Sequence, residues 1–178
     1  ISQPTELGTL YSKSELEAIA HVCKEHEVKL FVDGARLAYA LACPENDVTL
    51  ADLAQLCDAF YIGGTKCGAM FGEAVVIPNP RLLPHMTTII KQHGALLAKG
   101  RLLGIQFDEL FKDHLYDTIG QDAITDANQI RQACKRAGLP LYFENPTNQI
   151  FCLVTKEQME KLTEKVIFSF WEKYDDEL

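Results

Sequence analysis

The sequence is poor in basic residues and in long apolar runs, and each shortage argues against a class of protein. With 17 Lys and Arg against 25 Asp and Glu, the net charge is −8 at pH 7. Nucleic acids and anionic membranes bind clustered cations, so we expect neither as a partner. No apolar run reaches the roughly 18 residues that a transmembrane helix needs. The sequence therefore predicts a soluble, cytoplasmic protein.

The sequence also lacks paired cysteines and metal-ligand patterns. Its cysteines are scattered through apolar surroundings without a C-x-x-C pair: Cys23, Cys43, Cys57, Cys67, Cys134 and Cys152. This arrangement is typical of reduced thiols in a protein core. The histidines show no zinc-ligand spacing. We therefore predict no disulfide scaffold, no redox centre and no metal site.

What is present is apolar sequence sufficient for a core, since 47% of the 178 residues are hydrophobic. The first half alternates helix and strand patterns. A capping box at Ser14 begins a helix, and Thr49 with Asp52 caps another. Apolar runs predict strands at 29–33, 59–63 and 74–77, with a short helix at 37–42. Successive α–β units predict an α/β fold with a parallel sheet and flanking helices.

From Pro84 onward the pattern becomes helical. An apolar helix from about 95 to Tyr116 is expected to link two domains. A further helix at 124–137, strands at 141–143 and 149–155 and a helix at 157–174 would belong to a small α+β domain. We therefore divide the chain into a partial large domain, 1–110, and a partial small domain, 111–178, which ends in acidic residues.

Two chemically suggestive residues, Asp33 and Lys66, follow the first two strands. The carboxyl ends of parallel strands lie at one edge of a sheet, where open α/β folds bind ligands. A lysine that forms an imine and a carboxylate that holds a charge on a ring nitrogen are what pyridoxal 5'-phosphate requires. An isolated Asp-Gly is usually a turn and an isolated lysine is usually solvated. The shared strand-end position and the glycines around Lys66 favour the cofactor interpretation.

Four motifs in register carry a family resemblance: PTELGT (4–9), FVDGAR (31–36), GGTK (63–66) and KQHGA (91–95). Together they resemble the threonine aldolases, within the β-eliminating lyase group of fold-type-I pyridoxal-phosphate enzymes. The resemblance implies the large domain of that fold. It also implies a lyase that cleaves threonine or allo-threonine to glycine and an aldehyde in a retro-aldol step.

The resemblance assigns roles to four residues of this sequence. Lys66 would form the Schiff base, and Asp33 would hold the ring nitrogen protonated. Arg36 would bind the substrate carboxylate at the cofactor site, although a surface ion pair is an alternative. Lys91 would reach the cofactor phosphate of a neighbouring subunit in a homodimer or homotetramer, although a solvated helix cap is equally open.

The chain departs from the family in what it does not contain. The resemblance places the ring-stacking residue and the phosphate-binding turn before Ile1, and a second carboxylate-binding arginine after Leu178. We therefore expect an internal fragment that is inactive alone. Alternatives are another β-eliminating lyase, related to tyrosine phenol-lyase or tryptophanase, and a non-catalytic remnant or assembly module.

Overall fold

A computed structural model describes residues 1–174, in which short strands alternate with helices before helices predominate. The strands are β1 (Phe31–Val32), β2 (Ala59–Ile62) and β3 (Ala74–Val76). The helices are α1 (Lys13–Glu25), α2 (Leu37–Leu41), α3 (Leu50–Leu56), α4 (Met86–Gln92), α5 (Arg101–Phe111), α6 (Leu115–Thr118), α7 (Gln121–Arg136) and α8 (Lys156–Thr163). A 3-10 turn, Lys112–His114, joins α5 to α6.

The three strands form one sheet in the order β1-β2-β3. β1 runs parallel to β2, as predicted, whereas β3 is antiparallel to β2, with Tyr61 beside Val75. The parallel pairing predicted from the α–β units therefore holds for β1 and β2, whereas β3 follows β2 without a crossover helix and pairs antiparallel. Residues 1–3 extend the sheet on the side of β1 that faces away from β2. Gln3 N donates to Asp33 O and Asp33 N donates to Ile1 O, each at 2.8 Å.

Helices cover one face of this sheet within the described residues. Side chains alternate between the two faces of a strand, so every second residue can enter the core. The core on the covered face includes Leu16, Leu30, Val32, Leu53, Phe60 and Ile62. On the opposite face, Phe31 is 46% exposed and Val75 is 60% exposed. The sheet therefore has one buried and one open face in residues 1–174.

Capping boxes set the starts of the helices that cover the sheet. The box at Thr49 and Asp52 is present before α3, as predicted. At α1 the cap is Ser12 with Glu15, two residues before the predicted cap Ser14. Two overlapping Ser-x-x-Glu patterns occur at this point of the sequence, and the upstream one adds residues to the helix.

The predicted continuous helix from 95 to Tyr116 is wrong. The chain forms α5 and then breaks at Asp113 and His114, which have φ of 51° and 58°. Residues with positive φ cannot continue a right-handed helix. Leu110 and Tyr116 nevertheless belong to the same core cluster. The division into domains at 110/111 remains a prediction.

The last part of the described chain is less regular than predicted. The expected strands reduce to an antiparallel bridge between Leu141 and Cys152. The predicted helix at 157–174 ends at Thr163. Beyond it, Trp171 turns back to pack edge-on against Phe151, with ring centroids 5.2 Å apart. The acidic residues at the end of the predicted small domain, 175–178, lie outside the described residues. No helix in residues 1–174 is long and apolar enough to span a bilayer.

Candidate active site

Two turns meet at the edge where the parallel strands end. Residues 33–36 follow β1, and residues 63–67 follow β2. Gly63 N donates to Gly34 O at 2.9 Å, and Cys67 Sγ donates to Ala35 O at 3.6 Å. We call these the sheet-edge turns. They bear Asp33, Arg36 and Lys66, so the structure brings the segments of three predicted site residues together.

Glycine permits the close approach of the sheet-edge turns. A Cβ at Gly34 would lie 2.0 Å from the carbonyl oxygen of Tyr61. A Cβ at Gly63 would lie 2.4 Å from the carbonyl oxygen of Ala35 and 2.5 Å from that of Gly34. Main-chain atoms at such distances have no room for a side chain. The spacing of Asp33 and Lys66 therefore depends on two residues without side chains.

Two tyrosine hydroxyls hold the turn that carries Lys66. Tyr39 on α2 donates to the carbonyl oxygen of Lys66 at 2.6 Å. Tyr116 on α6 donates to the carbonyl oxygen of Gly63 at 2.7 Å. Burial raises the pKa of both phenols, which keeps them protonated as donors. The main chain on either side of Lys66 is thus fixed, while the Lys66 residue is exposed.

The Asp33 carboxylate has a structural and an electrostatic role. Its Oδ1 accepts from the main-chain N–H of Ala35 at 2.9 Å, which closes a local turn. It also lies beside Tyr61 of β2. Burial is the main cause that raises the pKa of the Tyr61 phenol, and the Asp33 carboxylate raises it further. Asp33 therefore places a negative charge at the sheet edge next to a protonated hydroxyl.

Arg36 contacts a residue far along the chain. With its carboxamide oxygen turned toward the guanidinium, Gln149 accepts from Arg36 Nε and Nη2, each at 2.9 Å. Gln149 belongs to residues 145–149, which we call the 145–149 segment. Within residues 1–174 no carboxylate forms a salt bridge with Arg36. Burial raises the pKa values of Tyr39 and Tyr61, and the positive charge of Arg36 lowers both. Arg36 therefore lies near these two phenols.

Side-chain hydrogen bonds tie the 145–149 segment to the loop before α1. Asn145 Nδ2 donates to Leu7 O and Thr147 Oγ1 donates to Gly8 O, each at 2.7 Å. Arg131, only 7% exposed, donates to Asn145 Oδ1 at 2.9 Å and to Thr147 O. The PTELGT motif of the sequence therefore acts as an acceptor surface for this segment.

The remaining predicted site residue, Lys91, lies apart from these contacts. It is an exposed residue in the last turn of α4. Its role toward a neighbouring subunit remains a prediction. Within residues 1–174 no group of three histidine, cysteine or carboxylate side chains is arranged to hold a metal ion.

Comparison with solved structures identifies the fold. Threonine aldolase of Leishmania major is 46% identical and matches with a TM-score of 0.94, over 99% of this chain and 52% of that one. An aspartate aminotransferase of Thermus thermophilus, at 16% identity and a TM-score of 0.62, shares the fold. The predicted α/β, fold-type-I architecture is therefore confirmed.

Sequence comparison leads to the same group. Low specificity L-threonine aldolases of Pseudomonas sp. and Pseudomonas aeruginosa are 32% and 30% identical, over 93% and 91% of this chain. The matches cover 48% and 47% of those proteins, so the chain spans about half the length of these relatives. The family model for β-eliminating lyases matches residues 2–157. The chain belongs to the β-eliminating lyase family.

Proposed function

We propose that the protein containing this chain is a pyridoxal-phosphate-dependent lyase that cleaves threonine or allo-threonine to glycine and an aldehyde. The observation that carries the proposal is the meeting of the sheet-edge turns, which gathers Asp33, Arg36 and Lys66 at one edge of the sheet. The similarity to threonine aldolases supports the choice of substrate.

The residues present fit this cofactor chemically. An exposed primary amine, a carboxylate and a guanidinium share one edge of the sheet. These groups complement an aldehyde, a protonated ring nitrogen and an anionic amino acid, respectively. When bound, the cofactor supplies a ring that accepts the electron pair released as the substrate Cα–Cβ bond breaks.

Each protein group then has a defined task. Lys66 supplies the amine that attaches the cofactor, on a turn whose main chain is fixed by Tyr39 and Tyr116. Asp33, as a carboxylate, holds a proton on the ring nitrogen. Arg36 orients the substrate through its carboxylate, because a planar guanidinium binds that group with two parallel hydrogen bonds.

The proposal also covers assembly and compartment. Lys91 serves the cofactor phosphate of a neighbouring subunit, which requires a homodimer or homotetramer. The exposed position of Lys91 on α4 leaves its ammonium accessible for such a contact. The protein works in the cytoplasm. In support, the six cysteines of the sequence are scattered without a C-x-x-C pair, a pattern typical of a reducing compartment.

Chemical labelling of the full-length protein tests the site. Borohydride reduction with pyridoxal phosphate, followed by peptide mapping, should place the pyridoxyl group on Lys66. Lys66→Ala should lose the label and turnover, whereas the control Lys99→Ala should keep both. A label on Lys91 or Lys99 would contradict the assignment.

Product analysis tests the reaction. Threonine should give glycine and acetaldehyde in equal amounts. Release of pyruvate and ammonia from other amino acids, without glycine from threonine, would instead support an eliminating lyase. Asp33→Asn keeps the side-chain size but removes the charge, so turnover should fall by about two orders of magnitude or more while the Lys66 label remains.

A further inference from the structure

We propose that Gln149 is a positioning residue that presents the guanidinium of Arg36 to the carboxylate of the substrate. This inference rests on the proposed function. Its starting observation is that the Gln149 carboxamide lies 2.9 Å from Arg36 Nε and from Arg36 Nη2, and both contacts are hydrogen bonds when the carboxamide oxygen faces the guanidinium.

Gln149 contacts one edge of the Arg36 guanidinium. A guanidinium offers five N–H donors in one plane. A single oxygen that accepts from Nε and Nη2 occupies the side edge of Arg36. Among the described residues, 1–174, no hydrogen bond occupies the end edge, formed by Nη1 and the second N–H of Nη2. That edge matches the two oxygens of a carboxylate.

The neutrality of Gln149 matters as much as its position. A carboxylate at this place would orient Arg36 and also cancel its charge. A carboxamide oxygen orients the group and leaves the positive charge for an anionic ligand. Within residues 1–174 no carboxylate pairs with Arg36, so its charge remains uncompensated by a direct ion pair there.

Gln149 is itself held in place by the rest of its segment. Asn145 and Thr147 are fixed by the buried Arg131 and by the carbonyls of the loop before α1. Gly8, with φ of +82°, lies so close that a Cβ there would be 2.9 Å from the Gln149 Cβ. The carboxamide therefore approaches Arg36 from a segment tied to the buried interior.

Steady-state kinetics of the full-length, cofactor-loaded protein test the role. Gln149→Met has a similar volume but no acceptor of comparable strength. We expect KM for threonine to rise about tenfold and kcat to stay within about twofold, because orientation of the substrate carboxylate is weakened. Gln149→Glu keeps an acceptor but neutralises Arg36, and KM should rise about a hundredfold. Gln132→Met, at an exposed position on α7, is the matched control.

A second measurement does not depend on turnover. Phenylglyoxal modification of Arg36 in the cofactor-free protein, quantified by peptide mapping, should be several-fold faster in Gln149→Met and slower in Gln149→Glu. The Gln132→Met control should react at the rate of the unsubstituted protein. If Gln149→Met does not fold, the kinetics and Arg36 reactivity of Gln149→Glu decide the question.

The outcomes separate the two proposals. Unchanged KM and unchanged Arg36 reactivity in the Gln149 variants, with the borohydride label still on Lys66, would contradict the positioning role alone. Absence of the label from Lys66 in the unsubstituted protein would contradict the proposed function. A raised KM with altered Arg36 reactivity supports the inference.

Discussion

The sheet-edge turns and the 145–149 segment both reach the candidate site, but different forces hold them. The turns after β1 and β2 are joined largely through main-chain contacts that Gly34 and Gly63 make possible. The 145–149 segment is joined through side-chain donors on Arg131, Asn145 and Thr147. Adding a side chain should therefore destabilise the sheet-edge turns most. Removing a side chain should destabilise the 145–149 segment most.

The largest effect is expected where a side chain is added between the sheet-edge turns. In Gly63→Ala the new Cβ would meet two main-chain carbonyl oxygens, which cannot move aside as a flexible side chain can. We expect a loss of about 3 kcal/mol or more in the free energy of unfolding, measured by urea denaturation. Gly104→Ala, with no atom within 4 Å of its Cβ, should gain about 0.5–1 kcal/mol in helix α5. Equal stability of the two variants would contradict this comparison.

A smaller loss is expected when the central donor of the 145–149 segment is removed. Arg131→Met fills similar space but leaves the buried acceptors of Asn145 and Thr147 without their donor. The free energy of unfolding should fall by about 2–3 kcal/mol. Arg136→Met, at an exposed position on the same helix, should change it by less than about 0.5 kcal/mol. Similar denaturation midpoints for the two variants would show that the segment is held by other contacts.

The two tyrosines that bond to the Lys66 turn differ in burial, so their hydroxyls should differ in their contribution to stability. Tyr116→Phe removes a buried hydroxyl from Gly63 O and should cost about 1 kcal/mol in the free energy of unfolding. Tyr39→Phe removes the less buried contact to Lys66 O and should cost about 0.5 kcal/mol. Thermal denaturation of both variants measures the order. A larger loss for Tyr39→Phe would contradict the importance of burial here.

The smallest effect is expected from the ion pair of Lys13 with Asp52 at the start of α3. A hydrogen bond from Lys13, with others from Thr49, lowers the pKa of Asp52 to about 2. The folded pKa of Asp52 lies below the unfolded value of about 3.9. The contribution of these hydrogen bonds to the free energy of unfolding is therefore present above pH 4 and is lost as the pH falls toward 2. The melting temperature of Asp52→Asn should therefore lie slightly below that of the unsubstituted protein at pH 6, and the difference should shrink as the pH falls toward 2. Asp108→Asn, exposed on α5, is the control.

The sequence predicted the sheet-edge turns because their signals are local. An apolar run marks each strand, and the residue after it, such as Asp33, falls at the ligand edge of the fold. The same reasoning predicts Lys66, after β2, as a site residue. The identity of the fold and family followed from motifs that keep their order and spacing.

The contacts that position those residues could not be predicted in this way. Tyr39, Tyr116 and Gln149 contact partners that are distant in sequence, and a lone tyrosine or glutamine has no periodicity to mark it. The predicted boundaries of two helices were wrong for another reason. Overlapping capping signals preceded α1, and aromatic packing of Trp171 replaced the helix predicted after Thr163.

The long reach of the 145–149 segment has a consequence for folding. Its hydrogen bond from Asn145 to Leu7 joins residues 138 positions apart. Closing so long a loop costs conformational entropy, and contacts of such separation slow folding. Synthesis proceeds from the N-terminus, so Asp33 and Lys66 can reach their sheet edge before residue 145 has been made. The contacts that orient Arg36 are therefore among the last to form, and a nascent chain acquires its lysine and aspartate before its arginine is aligned.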